Sequence, residues 1–486
     1  MADCRPRAFF SWFEQITRIP RGSGQEERIG QFILDYAERR GLSAQRDEIG
    51  NVFVRVPAFP GYETEPTLLI QSHLDMVWNK DPDVEFDFST QAIQLQIKDG
   101  AVCGRGTTLG ADNGIGIAFM MALMEDPEIV HPPLELLFTV QEEVGLVGIQ
   151  NFDLSKVTAR RMINTDCGYS HGMCVSSVGT VKYRVSGTFF QEKLNSWSVL
   201  CLRVKNGRGG HGGLDIHRGR ICAVNLSGEL LHRLKKEIPL RLVKIQAPGA
   251  AIHGWSDVTF AVPADRAAKA QQIIMEHWEG CRERYLTADP ETIVEVCRGT
   301  GEAAVSEDGS ARMVDMMFLL PTAALRHDGA DTSFVLTSHA IAATSLEDGI
   351  FSLDASVRSV FNSERDREYE RISVVVAAMG FDLTRKGGYN SWPTRLDSVV
   401  QQKMRMAHRA LFGREIEVEH IHGGIEVSYV MQVYPDMDVL GISPTAKGCH
   451  TPQERLFIDE VQPYWDLMME FLRMKDEKII TEENNA

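Results

Sequence analysis

The 486-residue sequence has no Cys-x-x-Cys pair, no long apolar run and no block of basic residues. Its nine cysteines are scattered, which is typical of a reducing compartment and disfavours a thiolate zinc site. The longest apolar stretch, 115–124, is well short of the roughly 18 residues of a membrane-spanning helix. The net charge of -16 disfavours nucleic acid or an anionic membrane as a partner. We therefore expect a cytoplasmic protein, with any metal held by imidazole and carboxylate groups.

What is present is the composition of a globular protein, 43% hydrophobic and 24% charged, long enough for two or three compact units. Short β-type runs at 51–56, 67–72, 134–140 and 161–164 flank a helical stretch at 115–124. This alternation predicts an α/β fold with a mixed, largely parallel central sheet flanked by helices. Ser23 to Glu26 is predicted to be a capping box that opens a helix, and Gly41 is placed to end that helix.

The pattern changes near residue 190. A strand at 199–204 and helices near 220–236 and 264–285 predict an α+β unit. A helix at 363–379 then precedes Lys386–Tyr389, which is predicted to be a hinge, and further helices follow near 396–411 and 461–474. We predict a first domain in two parts, 1–190 and 388–486, with a second domain, 191–387, inserted between them.

Polar residues follow several of these strands. His73 and Asp75 end the run 68–73, and residues two apart on a strand face the same side, so Asp75 can hold the second ring nitrogen of a metal-binding His73. By itself the pair favours a buried histidine beside a turn aspartate, since one ligand defines no site.

The same arrangement recurs along the chain. Asp112 lies in a Gly-rich loop that opens a helix, which alone favours a simple turn, while Glu142 and Glu143 follow the strand at 134–140. Asp166 follows the strand at 161–164, and His450 lies near the end of the chain. Open α/β sheets place their sites at the carboxyl ends of strands. Together these residues indicate a mixed nitrogen and oxygen site for a zinc, manganese or cobalt pair.

The successive motifs resemble those of the two-zinc exopeptidase family that contains aminoacyl-histidine dipeptidases, carnosinases and aminoacylases. The resemblance extends in order over most of the chain, and the run 106–116 is closest to the aminoacyl-histidine dipeptidase branch. The matching motifs are His73-Leu74-Asp75, Gly110-Ala111-Asp112-Asn113-Gly114, Glu142-Glu143-Val144-Gly145, Asn164-Thr165-Asp166 and His450-Thr451-Pro452.

The resemblance implies a role for each residue. Asp112 would bridge two metal ions, most simply zinc, with His73 and Asp166 completing one site and Glu143 and His450 the other. Asp75 would orient His73. Glu142 would be the general base that takes a proton from the attacking water and delivers it to the leaving amine of a small peptide.

In this family a lid domain is inserted into the catalytic domain, which fits the change of pattern near 190 and the return near 388. His211, in Arg208-Gly209-Gly210-His211-Gly212-Gly213, resembles the lid histidine that holds the oxyanion. Arg358 resembles the lid arginine that binds the substrate carboxylate. Without the resemblance, they read as an incidental loop histidine and a solvated strand arginine. A homodimer is also compatible, and His211 would then serve its own subunit or the partner.

Two segments depart from the family pattern. The branch usually has Arg-Asn-Ala-Ile-Pro where this chain has Ile252–Ser256, so a substrate-contacting asparagine is absent and the resemblance does not imply a preference for histidine at the second position. Cys449 replaces an expected proline before His450, and its thiol is either inert packing or a point of oxidation.

Three alternatives stay open. Gly168-Tyr169-Ser170-His171-Gly172 fits the Gly-x-Ser-x-Gly motif of serine hydrolases, which requires a helix after the serine, whereas 175–185 is strand-like. A related metal-dependent deacylase or tripeptidase would use the same site. An inactive binding protein could retain the fold.

Overall fold

The computed structural model describes residue 1 and residues 3–213, 215–249, 252–329, 332 and 334–476. Over these residues the chain forms two compact units. The first comprises 1–176, 392–421 and the chain from 425 onward, and the second comprises 177–391 and 422–424.

The helices are α1 Arg7–Ile16, α2 Glu27–Arg39, α3 Ala111–Glu125, α4 Val147–Asn151, α5 Ala223–Leu234, α6 Ala267–Cys281, α7 Glu307–Leu319, α8 Asn362–Ala378, α9 Val399–Phe412, α10 Val427–Val433 and α11 Ile458–Arg473. The strands are β1 Ser43–Arg46, β2 Val52–Val56, β3 Leu68–His73, β4 Leu95–Lys98, β5 Ala101–Gly104, β6 Leu134–Thr139, β7 Arg161–Asn164, β8 Gly172–Ser177, β9 Gly179–Thr188, β10 Gln191–Lys193, β11 Trp197–Lys205, β12 Arg241–Ala247, β13 Ser256–Pro263, β14 Ile293–Arg298, β15 Ala303–Val305, β16 Ala323–His327, β17 Val335–Glu347, β18 Ile350–Ser359, β19 Asp382–Tyr389, β20 Glu417–Ile421, β21 Asp438–Gly441, β22 Ala446–Lys447 and β23 Arg455–Phe457.

The first unit is built on an eight-stranded sheet in the order β1-β2-β6-β3-β7-β21-β8-β20. The pairs β6/β3, β3/β7 and β7/β21 are parallel, and β1/β2, β2/β6 and β21/β8 are antiparallel. The predicted α/β fold with a mixed sheet and a parallel centre is confirmed. Strands β3 and β6 are buried at every residue, as strands covered on both faces are.

Helix α3 accounts for the apolar run at 115–124, whose residues are all buried. The helix packs between α1 and strand β3, so apolar residues are needed all round it. No helix in the described part of the chain is both long and apolar enough to cross a membrane.

The second unit has its own sheet and its own core. Strands run in the order β14-β11-β13-β12-β17-β18-β9-β19, and β16 pairs with β17. The registered pairs are antiparallel, and a separate apolar cluster includes Leu202, Leu231, Phe260 and Phe351. This is the α+β architecture expected for the inserted region.

The unit boundaries differ from the predicted 190/191 and 387/388. Strand β9 belongs to the second unit because it pairs with β18 over its whole length. Lys386–Tyr389 is not a hinge loop but the end of β19, paired with β9. Alternation in the sequence located the strands but could not say which sheet β9 would join.

Helix α2 begins at Glu27 and ends before Gly41, which has φ +72° as predicted for a terminating glycine. The predicted capping box is wrong. The Ser23 hydroxyl donates to Asp75 Oδ2 at 2.7 Å and makes no cap to the helix.

Candidate metal centre

The polar residues singled out in the first unit meet at one edge of the sheet. Strands β3, β6 and β7 are parallel, so their carboxyl ends lie side by side. His73 ends β3, Glu142 and Glu143 follow β6, and Asp166 follows β7. Asp112 stands at the start of α3, where its backbone leaves helical φ/ψ values.

Asp112 lies between two histidines. His73 Nε2 is 2.9 Å from Asp112 Oδ1 and 3.5 Å from Asp166 Oδ1. His450 Nε2 is 3.2 Å from Asp112 Oδ2 and 2.9 Å from Glu143 Oε1. Two donor groups, His73/Asp112/Asp166 and Asp112/Glu143/His450, therefore share one carboxylate, with the donor atoms of each within 4.8 Å of one another.

The electrostatics of this cluster favour cations. Burial and then the charge of Asp112 raise the pKa of Asp166 to about 7, and burial and then the charge of Asp166 raise the pKa of Glu142. Glu143 Oε1 is buried and lies 2.9 Å from His450 Nε2. Convergent imidazole and carboxylate donors of this kind fit divalent metal ions. When bound there, such ions polarise a carbonyl group and lower the pKa of water.

Asp75 lies beside His73, the residue that the sequence analysis expects it to orient. His73 Nδ1 is 3.1 Å from the Asp75 carbonyl oxygen and 3.3 Å from its Oδ1. The Asp75 carboxylate also accepts hydrogen bonds from the backbone N–H groups of Glu142 at 3.0 Å and Glu143 at 3.2 Å. Asp75 thus contacts His73 through its backbone carbonyl and its carboxylate, and the same carboxylate binds the acidic loop.

Two further acids, Glu454 and Glu426, bind segments beside the site and were not predicted from the sequence. Glu454 accepts hydrogen bonds from the N–H groups of Leu109, Gly110 and Asp112 at 2.7, 2.9 and 3.1 Å. Glu426 is buried, accepts from Thr139 Oγ1 at 2.6 Å, and has its pKa raised by burial to about 7. Nothing in the local pattern marks either residue, since their partners are distant in sequence.

His211 and Arg358 belong to the second unit. His211 is exposed, and its backbone N–H donates to Asp215 Oδ2 at 2.9 Å. Arg358 lies on β18 opposite Ser338 of β17, and its Nε atom is buried without a hydrogen-bond partner among the described residues.

The serine hydrolase motif does not form its required structure. Strand β8, not a helix, follows Ser170. The Ser170 hydroxyl is buried and donates to the Glu460 carbonyl oxygen at 2.7 Å. It lacks the exposed strand–turn–helix setting of such a nucleophile.

In the two segments that depart from the family pattern, burial shifts the pKa values of Cys449 and His253. Burial and then the nearby Asp112 charge raise the pKa of the Cys449 thiol, which favours inert packing over a reactive thiolate. His253 is buried and leads into β13, and burial lowers its pKa.

Residues 69–474 match peptidase family M20/M25/M40, and the chain belongs to this family. It is accordingly a metallopeptidase, a hydrolase of peptide bonds.

Among relatives, it is 28% identical over 477 residues to a cytosol non-specific dipeptidase of Escherichia coli, covering 97% of this chain and 98% of that protein. The crystal structure of aminoacylhistidine dipeptidase from Vibrio alginolyticus is similar with a TM-score of 0.83 at 29% identity, over 97% of each chain. Aminopeptidase PepT from Bacillus cereus shares the fold, with a TM-score of 0.58 at 16% identity over 97% of this chain and 98% of that one.

Proposed function

We propose that the protein is a dipeptidase that uses two divalent metal ions. The observation that carries this proposal is the sharing of Asp112 by two donor groups. The full-length similarity to two dipeptidases supports the substrate class. Zinc is the metal we favour because each group has one imidazole and two carboxylates, and manganese or cobalt would suit the same donors.

In this proposal His73, Asp112 and Asp166 hold one ion, and Asp112, Glu143 and His450 hold the other. Glu142 is the general base. It accepts a proton from the attacking water and gives it to the leaving amine. Its position directly before Glu143, with the backbone N–H groups of both bonded to Asp75, supports this role.

Two residues of the second unit, His211 and Arg358, have proposed roles in substrate binding and catalysis. Arg358 binds the free carboxylate of the substrate, and His211 donates to the oxyanion. The buried, unpaired Nε of Arg358 among the described residues supports a ligand at that side chain. A cytosolic location is supported by the similarity to a cytosol non-specific dipeptidase and by nine cysteines that form no disulfide.

The test is hydrolysis of a peptide panel by protein stripped with a chelator and resupplied with zinc, manganese or cobalt. The panel contains Ala-Ala, Ala-His, β-Ala-His, N-acetyl-Ala-His and Ala-Ala-His. We expect metal-restored cleavage of the free dipeptides only. Faster cleavage of the acetylated or tripeptide substrate would replace the proposal with a deacylase or tripeptidase.

A matched pair of variants isolates the bridging carboxylate. Asp112→Asn should lose both ions and activity, because it removes the shared ligand. Asp126→Asn, just after the other end of α3, should retain both. Equal metal content in the two variants would contradict the assigned role of Asp112.

A further inference from the structure

Arg21 is a buried arginine in the segment before the region that matches the family. Its side chain is 1% exposed. Its backbone lies against the loop after β3, since the Met76 N–H donates to the Arg21 carbonyl oxygen at 3.0 Å. A buried guanidinium needs hydrogen-bond acceptors for its N–H groups, so the acceptors that it contacts show which segments it stabilises.

The guanidinium bonds to two of the loops that carry the proposed metal ligands. Nη1 donates to the carbonyl oxygens of Leu74 and Asp75, both at 2.9 Å, and Nη2 donates to that of Gly110. Leu74 follows His73, and Gly110 precedes Asp112 by two residues. Arg21 thus joins the His73 loop to the Asp112 loop.

Two glycines leave the space for this side chain. A Cβ atom on Gly110 would lie 2.6 Å from Arg21 Nη2, and one on Gly114 would lie 2.7 Å from it. Gly110 also has φ +72°, a conformation that side chains disfavour. The loop before α3 is therefore shaped around the guanidinium.

The same segment holds the acidic loop after β6. Ser23 Oγ donates to Asp75 Oδ2, the oxygen that also accepts from the Glu143 N–H. Glu26 Oε1 accepts from the Gln141 N–H at 2.8 Å. Gln141 precedes Glu142 and has φ +52°.

We propose that Arg21, Ser23 and Glu26 are positioning residues that set the spacing of the metal ligands by tying together the loops after β3, before α3 and after β6. The inference rests on the proposed function for the identity of those ligands. Residues that support metal ligands typically contribute 10- to 100-fold to metal affinity or activity. We expect effects of that size here.

If Arg21 positions the loops, its replacement should weaken metal binding. If Arg21 acts only through its positive charge, its replacement should strengthen metal binding. The guanidinium is positive and repels cations, so removing its charge alone should tighten metal binding. If it positions the loops, Arg21→Met should weaken binding. Arg21→Lys should weaken it too, because an ammonium group cannot reproduce the planar fork of donors.

The experiment measures Co²⁺ affinity by chelator competition, together with kcat, KM and the midpoint of urea unfolding. Arg365→Lys is the matched control. Arg365 is a 4% exposed arginine of the second unit that donates to the Tyr389 carbonyl oxygen at 2.7 Å. We expect about 10- to 100-fold weaker Co²⁺ binding and lower kcat in Arg21→Lys, with KM little changed. Arg365→Lys should shift only the unfolding midpoint.

Ser23 provides a second test if the Arg21 variants do not fold. Ser23→Ala should weaken Co²⁺ binding and lower kcat, and Ser23→Thr, which keeps the hydroxyl, should restore both. Unchanged or tighter Co²⁺ binding in both Arg21→Met and Ser23→Ala would overturn the inference. Failure of the wild-type protein to cleave any dipeptide, with Co²⁺ bound, would instead refute the proposed function and leave the affinity comparison valid.

Discussion

Replacing Glu142 with glutamine tests the proposed general base with little change of shape. The Glu142 N–H bond to Asp75 Oδ1, at 3.0 Å, is a backbone contact that the substitution keeps. Glutamine has nearly the same volume but cannot accept the proton of the attacking water. Glu143 cannot take over the role, because in the proposed function it binds a metal ion together with His450.

The expected loss is therefore large and confined to turnover. General base catalysis contributes about 10² to 10⁴ in rate, so kcat should fall by that factor, about 2.7 to 5.5 kcal/mol. Metal content should not change. Without metal, the variant should be more stable than wild type, because burial and the charge of Asp166 raise the pKa of Glu142, and glutamine avoids the free-energy cost of holding an acid there.

The assay is steady-state kinetics on Ala-His, with metal content and thermal unfolding measured on the same samples. Glu135→Gln is the control, since Glu135 is a buried acid at the other end of β6 that accepts from the Thr158 and Ala159 N–H groups. It should lose about 1 to 3 kcal/mol of stability and keep its kcat. Turnover above a tenth of wild type in Glu142→Gln would refute the base role, and lost metal would make Glu142 a ligand instead.

Three further predictions concern substitutions at Arg358, His339 and Gly116. Arg358→Ala should raise KM by about 10-fold or more for free dipeptides and little for amidated ones, and an equal effect on both would exclude a carboxylate contact. Burial lowers the pKa of His339 to about 4, against about 6.5 unfolded, so the unfolded state gains its proton first and stability should fall as pH drops below 6.5, by about 2 kcal/mol at pH 5. Urea unfolding at pH 7.5 and 5 should show a smaller drop for His339→Gln. In Gly116→Ala the new Cβ would lie 2.0 Å from Thr165 Oγ1, so unfolding titrations should show a loss of about 1 to 3 kcal/mol, and wild-type stability would contradict the packing.

Local patterns in the sequence predicted the positions of four strands of the central sheet. The β-type runs at 51–56, 67–72, 134–140 and 161–164 correspond to β2, β3, β6 and β7 within one residue at each end. Their apolar residues are contiguous because both faces of the central sheet are covered, and that is a property of each segment alone. The sequence also predicted that His73, Glu143 and Asp166 lie close together, because each residue is at or just after the end of one of these strands.

Contacts between segments that are distant in sequence could not be predicted from local patterns. Ser23 and Glu26 fit a capping box by spacing, but their side chains bond to Asp75 and Gln141, which only the packed structure brings near. Likewise, strand β9 has the same alternation whichever sheet it joins. Because it pairs with β18, the first unit ends at residue 176 and not at the predicted 190.

The sequence by itself determined which residues are available for chemistry and the order in which strands present them, because periodicity and strand ends are local properties. Tertiary structure alone decided how the site is held. Arg21 binds backbone carbonyl groups, which every residue has, and Glu454 binds backbone N–H groups, which every residue except proline has, so no pattern of side chains along the chain marks their partners.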